Sequence, residues 1–186
     1  MFWLICAKFS FETSECMITN YDTTDRKYFN ITILVGCNKR YDVTFTQKYV
    51  NLFLGARTRF LGEHHTYSVV HWRRGDQIGY RCAHGKDYSV NCGSAENFIA
   101  KVISVTNESI VYVATNEDRE DDIKSLKAAG FYLFRDLHME INPLDAFVVE
   151  LQLMIDATTF FYWGNSSVDL VADSARLQQQ KLVFQP

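Results

Sequence analysis

The sequence is poor in the residues that break a chain into modules. It has two prolines and nine glycines in 186 residues, with no Pro-rich or Ser/Gly-rich run. That excludes a string of small units and an intrinsically disordered tail. A basic excess is also missing. Nineteen Lys and Arg stand against 22 Asp and Glu, a formal charge of −3, which disfavours a nucleic-acid partner. If the protein takes a phosphate, a few placed groups must hold it. No apolar run approaches the roughly 18–20 residues of a membrane helix. The opening Met1–Ala7 is apolar but is followed at once by Lys8 and preceded by no basic stretch, a poor match to a signal peptide or anchor. The five cysteines (Cys6, Cys16, Cys37, Cys82, Cys92) contain no CxxC pair and form no zinc-spaced cluster with histidine. No metal is expected.

What is abundant is core-forming material. Apolar residues make up 47% of the chain and aromatics 15%, enough for one domain with a sizeable interior. An odd cysteine count leaves at least one thiol unpaired, while Cys82 and Cys92 are spaced to close a short loop if the compartment is oxidising. Sequons at Asn30, Asn107 and Asn165 point towards a secretory context.

Residues 1–30 are polar after Phe11 and are expected to be irregular. The β-branched run Ile31–Cys37 reads as a strand. Tyr49, Leu52, Phe53, Ala56 and Phe60 share one helical face, and Gly62 ends that helix. Thr66–Trp72 is a buried-strand pattern running into Arg73-Arg74-Gly75-Asp76. The polar stretch 77–93 is long for a connection, and such loops are often functional. Ser94 caps a helix carrying Phe98, Ile99, Val102 and Ile103 inward.

Ser109–Thr115 is a strand, followed by a charged helix over 118–129 with Ile123 and Leu126 inward and Gly130 as terminator. Phe131–Phe134 is predicted as a short strand. Asn142-Pro143 starts a helix that buries Phe147, Val148, Leu151, Met154 and Ile155. Thr158–Trp163 is a strand broken at Gly164-Asn165, and a last helix runs from Ser166-Ser167 to about Arg176. Strand–helix alternation of this kind predicts an α/β fold, a Rossmann-like parallel sheet flanked by helices. The division expected is an N-terminal extension over 1–40, partly irregular, and one domain over 41–186.

Open α/β sheets take ligands beyond the carboxyl ends of their strands, and two strand ends stand out. One delivers His71, Arg73, Arg74 and Asp76; the other delivers Ser166 and Ser167 at the start of a helix. A guanidinium facing a helix N-terminus is a two-sided clamp for phosphate or diphosphate. The same residues also suit a plainer arrangement, a strand-end arginine paired with Asp76 or Asp118 beside an ordinary serine cap. Arg74-Gly75-Asp76 spells an integrin-type tripeptide, but it abuts a buried strand instead of a protruding loop. The adjacent His64 and His65 beside Glu63, and the isolated His84 and His138, read as solvated side chains. The acids over 118–122 complement a helix N-terminus.

The segment Val70-His71-Trp72-Arg73-Arg74-Gly75-Asp76 resembles the H-x-R-R-G-D motif of the fucosyltransferase superfamily with GT-B architecture, which includes the protein O-fucosyltransferases. Val111–Glu117 is similar to the family's "vyvATde" strand. Glu150 to Ala157 and Phe160 to Ser167 resemble its D-x(6)-A-D-x-F-x(5)-S-S-F block. Together with the helix over 45–61, the likeness spans about residues 40–178.

It implies the donor-binding half of a GT-B glycosyltransferase: metal-independent transfer of fucose from GDP-fucose to a glycan or protein hydroxyl, with no cofactor beyond that donor substrate. Arg73 would be catalytic, stabilising charge on the leaving GDP. His71 would line the donor pocket, and Arg74 and Asp76 would fix the loop. Ser166 and Ser167 would cradle the diphosphate, and Glu150 would contact the guanine or its ribose. Glu150, Thr158 and Val168 stand where the family has Asp, Asp and Phe, departures that bear on base and sugar selectivity. The resemblance also implies an acceptor-binding N-terminal half, or a second chain, to complete the site, since residues 1–40 are too few to build one. It implies an ER or Golgi setting as well. A nucleotide-sugar-binding module without transfer, or a fragment of a longer fucosyltransferase, is the alternative.

Overall fold

The computed structural model describes residues 17–20, 29–35, 40–62, 66–75, 78, 82–83, 90–163, 166–179 and 182–184. A three-stranded antiparallel sheet comes first, formed by β1 (Met17–Asn20), β2 (Phe29–Val35) and β3 (Arg40–Phe45) in that order. Residues 17–20 therefore correct the expectation of irregular chain. Met-Ile-Thr-Asn has little strand signal of its own, and its pairing with the β-branched Thr32–Val35 supplies what local propensity lacks. β3 crosses the boundary drawn at 40/41 and lies against the last helix.

The rest is a doubly wound α/β unit. Helix α1 (Gln47–Leu61) buries Tyr49, Ala56, Phe60 and Leu61, with the Gly62 amide closing its end on the Thr58 carbonyl. Strands β4 (Ser68–Trp72), β5 (Val111–Thr115), β6 (Thr159–Tyr162) and β7 (Leu182–Phe184) form a parallel sheet in the order β5-β4-β6-β7. The helices α2 (Ala95–Val105), α3 (Glu120–Ala128), α4 (Pro143–Asp156) and α5 (Ser167–Gln178) connect and cover it. The fold class is the one the alternation predicts.

Side-chain alternation sorts the core into two layers. Val69, Tyr112, Ala114, Phe160 and Tyr162 pack against α1, α4 and α5. Val70, Trp72, Val111, Val113, Phe161 and Trp163 pack against α2 and α3. Three helix starts are fixed by side chains: Ser94 accepts the Asn97 amide, Asn142 accepts the Asp145 amide ahead of Pro143, and Ser166 accepts the Asp169 amide. Gly130, at φ 81°, closes α3 in the left-handed conformation that glycine adopts without cost.

The predicted strand at Phe131–Phe134 shrinks to one bridge, Tyr112 to Tyr132. Beyond it the Asp136 carboxylate takes the Leu133 amide at 3.0 Å, and Phe134–Leu137 winds into a 3₁₀ turn instead. A local cap outcompetes one more rung of sheet.

The carboxyl end of α4 would leave carbonyls unpaired in the interior. Arg176 of α5, fully buried, donates to the carbonyls of Met154, Ile155, Ala157 and Thr158 at 2.7–3.1 Å. Arg176→Met keeps apolar bulk but strands these acceptors. It should cost at least about 3 kcal/mol and lower the melting temperature by roughly 6–12 °C. A drop under about 2 °C in calorimetry would contradict the capping role.

Candidate functional site

The strand order fixes where a ligand crevice opens. From β4 the chain crosses to β5 by way of α2 on one face; from β6 it crosses to β7 by way of α5 on the other. Adjacent strands whose connections diverge in this way leave a gap beyond their carboxyl ends, the topological switch point of an open α/β sheet. Here that gap lies between the end of β4, which carries His71 through Gly75, and Ser166 at the start of α5.

One carboxylate ties these two ends together. Oδ1 of Asp169, in the first turn of α5, sits 2.5 Å from Nδ1 of His71. Its Oδ2 accepts from the Ser166 amide at 3.0 Å and the Ser166 hydroxyl at 2.7 Å, while the Ser166 oxygen accepts the Asp169 amide at 3.1 Å. This is a reciprocal capping box, with Asp169 almost wholly buried. The serine hydroxyl that was expected to cradle a diphosphate is thus already given to Asp169. What remains for an anion at this terminus is the backbone N–H array of the first turn.

Arg73 and Arg74 part company because consecutive residues leave a strand on opposite sides. Arg73 is partly exposed and engaged with neighbouring groups. Arg74 turns inward, its guanidinium lying 4.5 Å over the Trp72 ring, which itself stacks on Phe98 at 4.3 Å. It donates to Glu117 at 2.8 Å, to the carbonyls of Asn91 and Gly93 at 2.6 and 2.8 Å, and to Asp122 at 3.4 Å. With its side chain 3% exposed, Arg74 reaches a ligand only through the loop it holds. Its acidic partners are Glu117 and Asp122, not the Asp118 that the plainer reading named.

The loop is fastened from outside as well. Oδ1 of Asn116 accepts the Arg74 amide at 2.8 Å, and a Cβ on Gly75 would run into the Asn116 side chain. Cys82 and Cys92 are joined in a disulfide, which binds the connection after β4 to the 3₁₀ turn Val90–Cys92. Within that turn the Asn91 amide donates to the Trp163 carbonyl at the end of β6.

Glu150 lies in α4, on the same layer as His71. Its Oε1 accepts the Tyr112 hydroxyl at 2.8 Å. Burial pushes its carboxyl up to about 7, against the pull of the Tyr112 hydrogen bond and of nearby His71. Asp76, His64, His65, His84, Gly164, Asn165 and the Ser167 side chain lie outside the described residues. Among the described residues no group of three His, Cys, Asp or Glu could hold a metal ion. A cavity of about 240 Å³ lies one strand away, lined by Val113, Thr115, Glu117, Leu133 and Arg135 among others, beside β5 and apart from the β4–β6 gap.

Asp169, Asn116 and Glu117 were missed by reading the sequence. Ser166-x-x-Asp169 is a capping-box pattern, so one signal was there. Asn116 and Glu117 close the Val111–Glu117 motif, which assigned them no role.

The Glu150 environment has a pH signature. With its folded pKa near 7 and an ordinary value of 4.5, the folded state binds the proton more tightly. The stability it lends is full below about pH 4.5 and is lost as pH rises through 7. Glu150→Gln, which fixes the neutral form, should therefore gain on wild type by about 2 to 3 kcal/mol between pH 4.5 and 8. Urea titrations of both proteins at the two pH values read this out. Parallel losses in the two would mean that the carboxyl is not desolvated.

No protein-family model matches the chain, and no curated protein does. Among solved structures, the fold is similar to the crystal structure of the fucosyltransferase POFUT1 in an apo form, with a TM-score of 0.51 and 14% identity. The match covers 76% of this chain and 46% of that one, so the chain spans under half the length of the protein it resembles. The likeness extends to the architecture alone: a Rossmann-like α/β sheet flanked by helices.

Proposed function

We propose that the chain is the donor-binding half of a glycosyltransferase, taking GDP-fucose and passing fucose to a glycan or protein hydroxyl. The observation that carries this reading is the contact between His71 and Asp169. It holds the strand end bearing Arg73 against the N-terminus of α5, at the one switch point of the sheet. A guanidinium on one side and helix amides on the other suit a diphosphate, and the POFUT1-like fold supports the choice of donor.

In the reaction, the bond between the sugar carbon and the diphosphate oxygen breaks, and its electron pair leaves with GDP. The acceptor oxygen bonds to that carbon from the opposite face, so the configuration inverts, and its proton passes to a base outside the residues named here. Arg73 offsets the charge gathering on the departing phosphate, electrostatic help of the kind worth a few kcal/mol. A second reading, a nucleotide-sugar-binding module without transfer, draws on the internal use of the Ser166 hydroxyl. The Cys82–Cys92 disulfide and the exposed sequon residue Asn107 support an oxidising lumen of the secretory pathway.

Thermal denaturation with GDP, GDP-fucose and UDP tests the donor site. A nucleotide at about 100 times its dissociation constant stabilises by about 2.7 kcal/mol, a rise of several degrees. The expected result is a rise with GDP and GDP-fucose, none with UDP, and none in Arg73→Ala provided the unliganded variant melts normally. No rise with any of the three would overturn the assignment.

A further inference from the structure

Asp169 touches both walls of the switch point. Its Oδ2 takes two hydrogens from Ser166, and its Oδ1 meets Nδ1 of His71. An ionised carboxylate can only accept, so the hydrogen in the His71 contact sits on Nδ1. In the neutral ring that leaves Nε2 without a proton, as the nitrogen turned to any further partner. Asp169 from α5 touches the ring, Glu150 from α4 interacts with it electrostatically, and Tyr162 of β6 is its partner in register. The hydroxyls of Tyr112 and Tyr162 are given to Glu150 and Asp173. Among the described residues, Asp169 is thus the group that sets the imidazole.

We propose that Asp169 is a positioning residue of the crevice: it holds His71 as the Nδ1–H tautomer and locks the start of α5 to the end of β4. The functional part rests on the donor-site reading above; the tautomer does not. With Nδ1 tied to Asp169, the imidazole offers a ligand an acceptor where the other tautomer would offer a donor. The same carboxylate keeps the helix amides and the Arg73 strand end at a fixed separation. The position therefore constrains both walls of the gap at once.

Asp169→Asn separates the two roles. The Asn oxygen can still take the Ser166 hydrogens and preserve the cap. Its NH2 group then faces Nδ1 and requires that nitrogen to accept, moving the ring proton to Nε2. Nitrogen-15 spectra of the histidine side chains read this in the free protein, with His71→Gln identifying the His71 signals. The expected result is Nδ1–H in wild type and Nε2–H in Asp169→Asn. GDP affinity should fall up to about tenfold, the loss of one hydrogen bond that Nε2 accepts from a ribose hydroxyl or a guanine N–H of the ligand.

An Nε2–H tautomer in wild type overturns the proposal without any variant, so a poorly folded Asp169→Asn does not shelter it. A switched tautomer with unchanged GDP affinity overturns its functional half. If wild type shows Nδ1–H but binds no nucleotide, the donor reading fails and the positioning of His71 stands.

Discussion

The guanidinium of Arg74 is the contact on which the crevice depends. It is a buried cation, and a buried cation is tolerable only when its hydrogens are answered. Here the answers come from three separate stretches of chain: Glu117 after β5, the Asn91 and Gly93 carbonyls before α2, and Asp122 in α3. Removing the fork would leave Glu117, itself almost wholly buried, without its principal counter-charge. The cost of such a cluster lies in desolvation, and its return is one fixed path for the chain where β4 ends.

That fixed path separates Arg73 from Arg74. Arg74 is pinned inward on the Trp72 ring, Asn116 holds the Arg74 amide, and the absence of a side chain at Gly75 lets Asn116 lie close. Strand alternation then leaves residue 73 on the layer of His71. Across the gap, Asp169 performs the matching task for α5. One buried charge thus organises each wall: a cation under the β4 loop, met by Glu117 and Asp122, and an anion under the helix start, met by Ser166 and by the His71 ring across the gap.

Much of the scaffold was legible in the sequence because the signals were local. Apolar spacing gave α1, and the serine and Asn-Pro starts gave α2 and α4. The β-branched runs gave the buried parallel strands. What escaped depended on partners distant in sequence. β1 exists through its pairing with β2, and the 3₁₀ turn at Phe134–Leu137 through one carboxylate. β7 is three residues long and paired only with β6. The motif at residues 71–76 marked a strand end, but it could not say that Arg74 turns inward or that the Ser166 hydroxyl is spent on Asp169. A list of residue types carries no information on which side chain another has already claimed.

The central claim is that the gap between β4 and β6 is where this protein holds a nucleoside diphosphate. The most direct measurement is a backbone amide NMR titration with GDP. The account predicts that the largest shifts cluster at His71–Gly75 and at Ser166–Asp169, two segments far apart in sequence that meet only across the switch point. Shifts centred on Val113 and Leu133–Arg135, around the cavity beside β5, would contradict it.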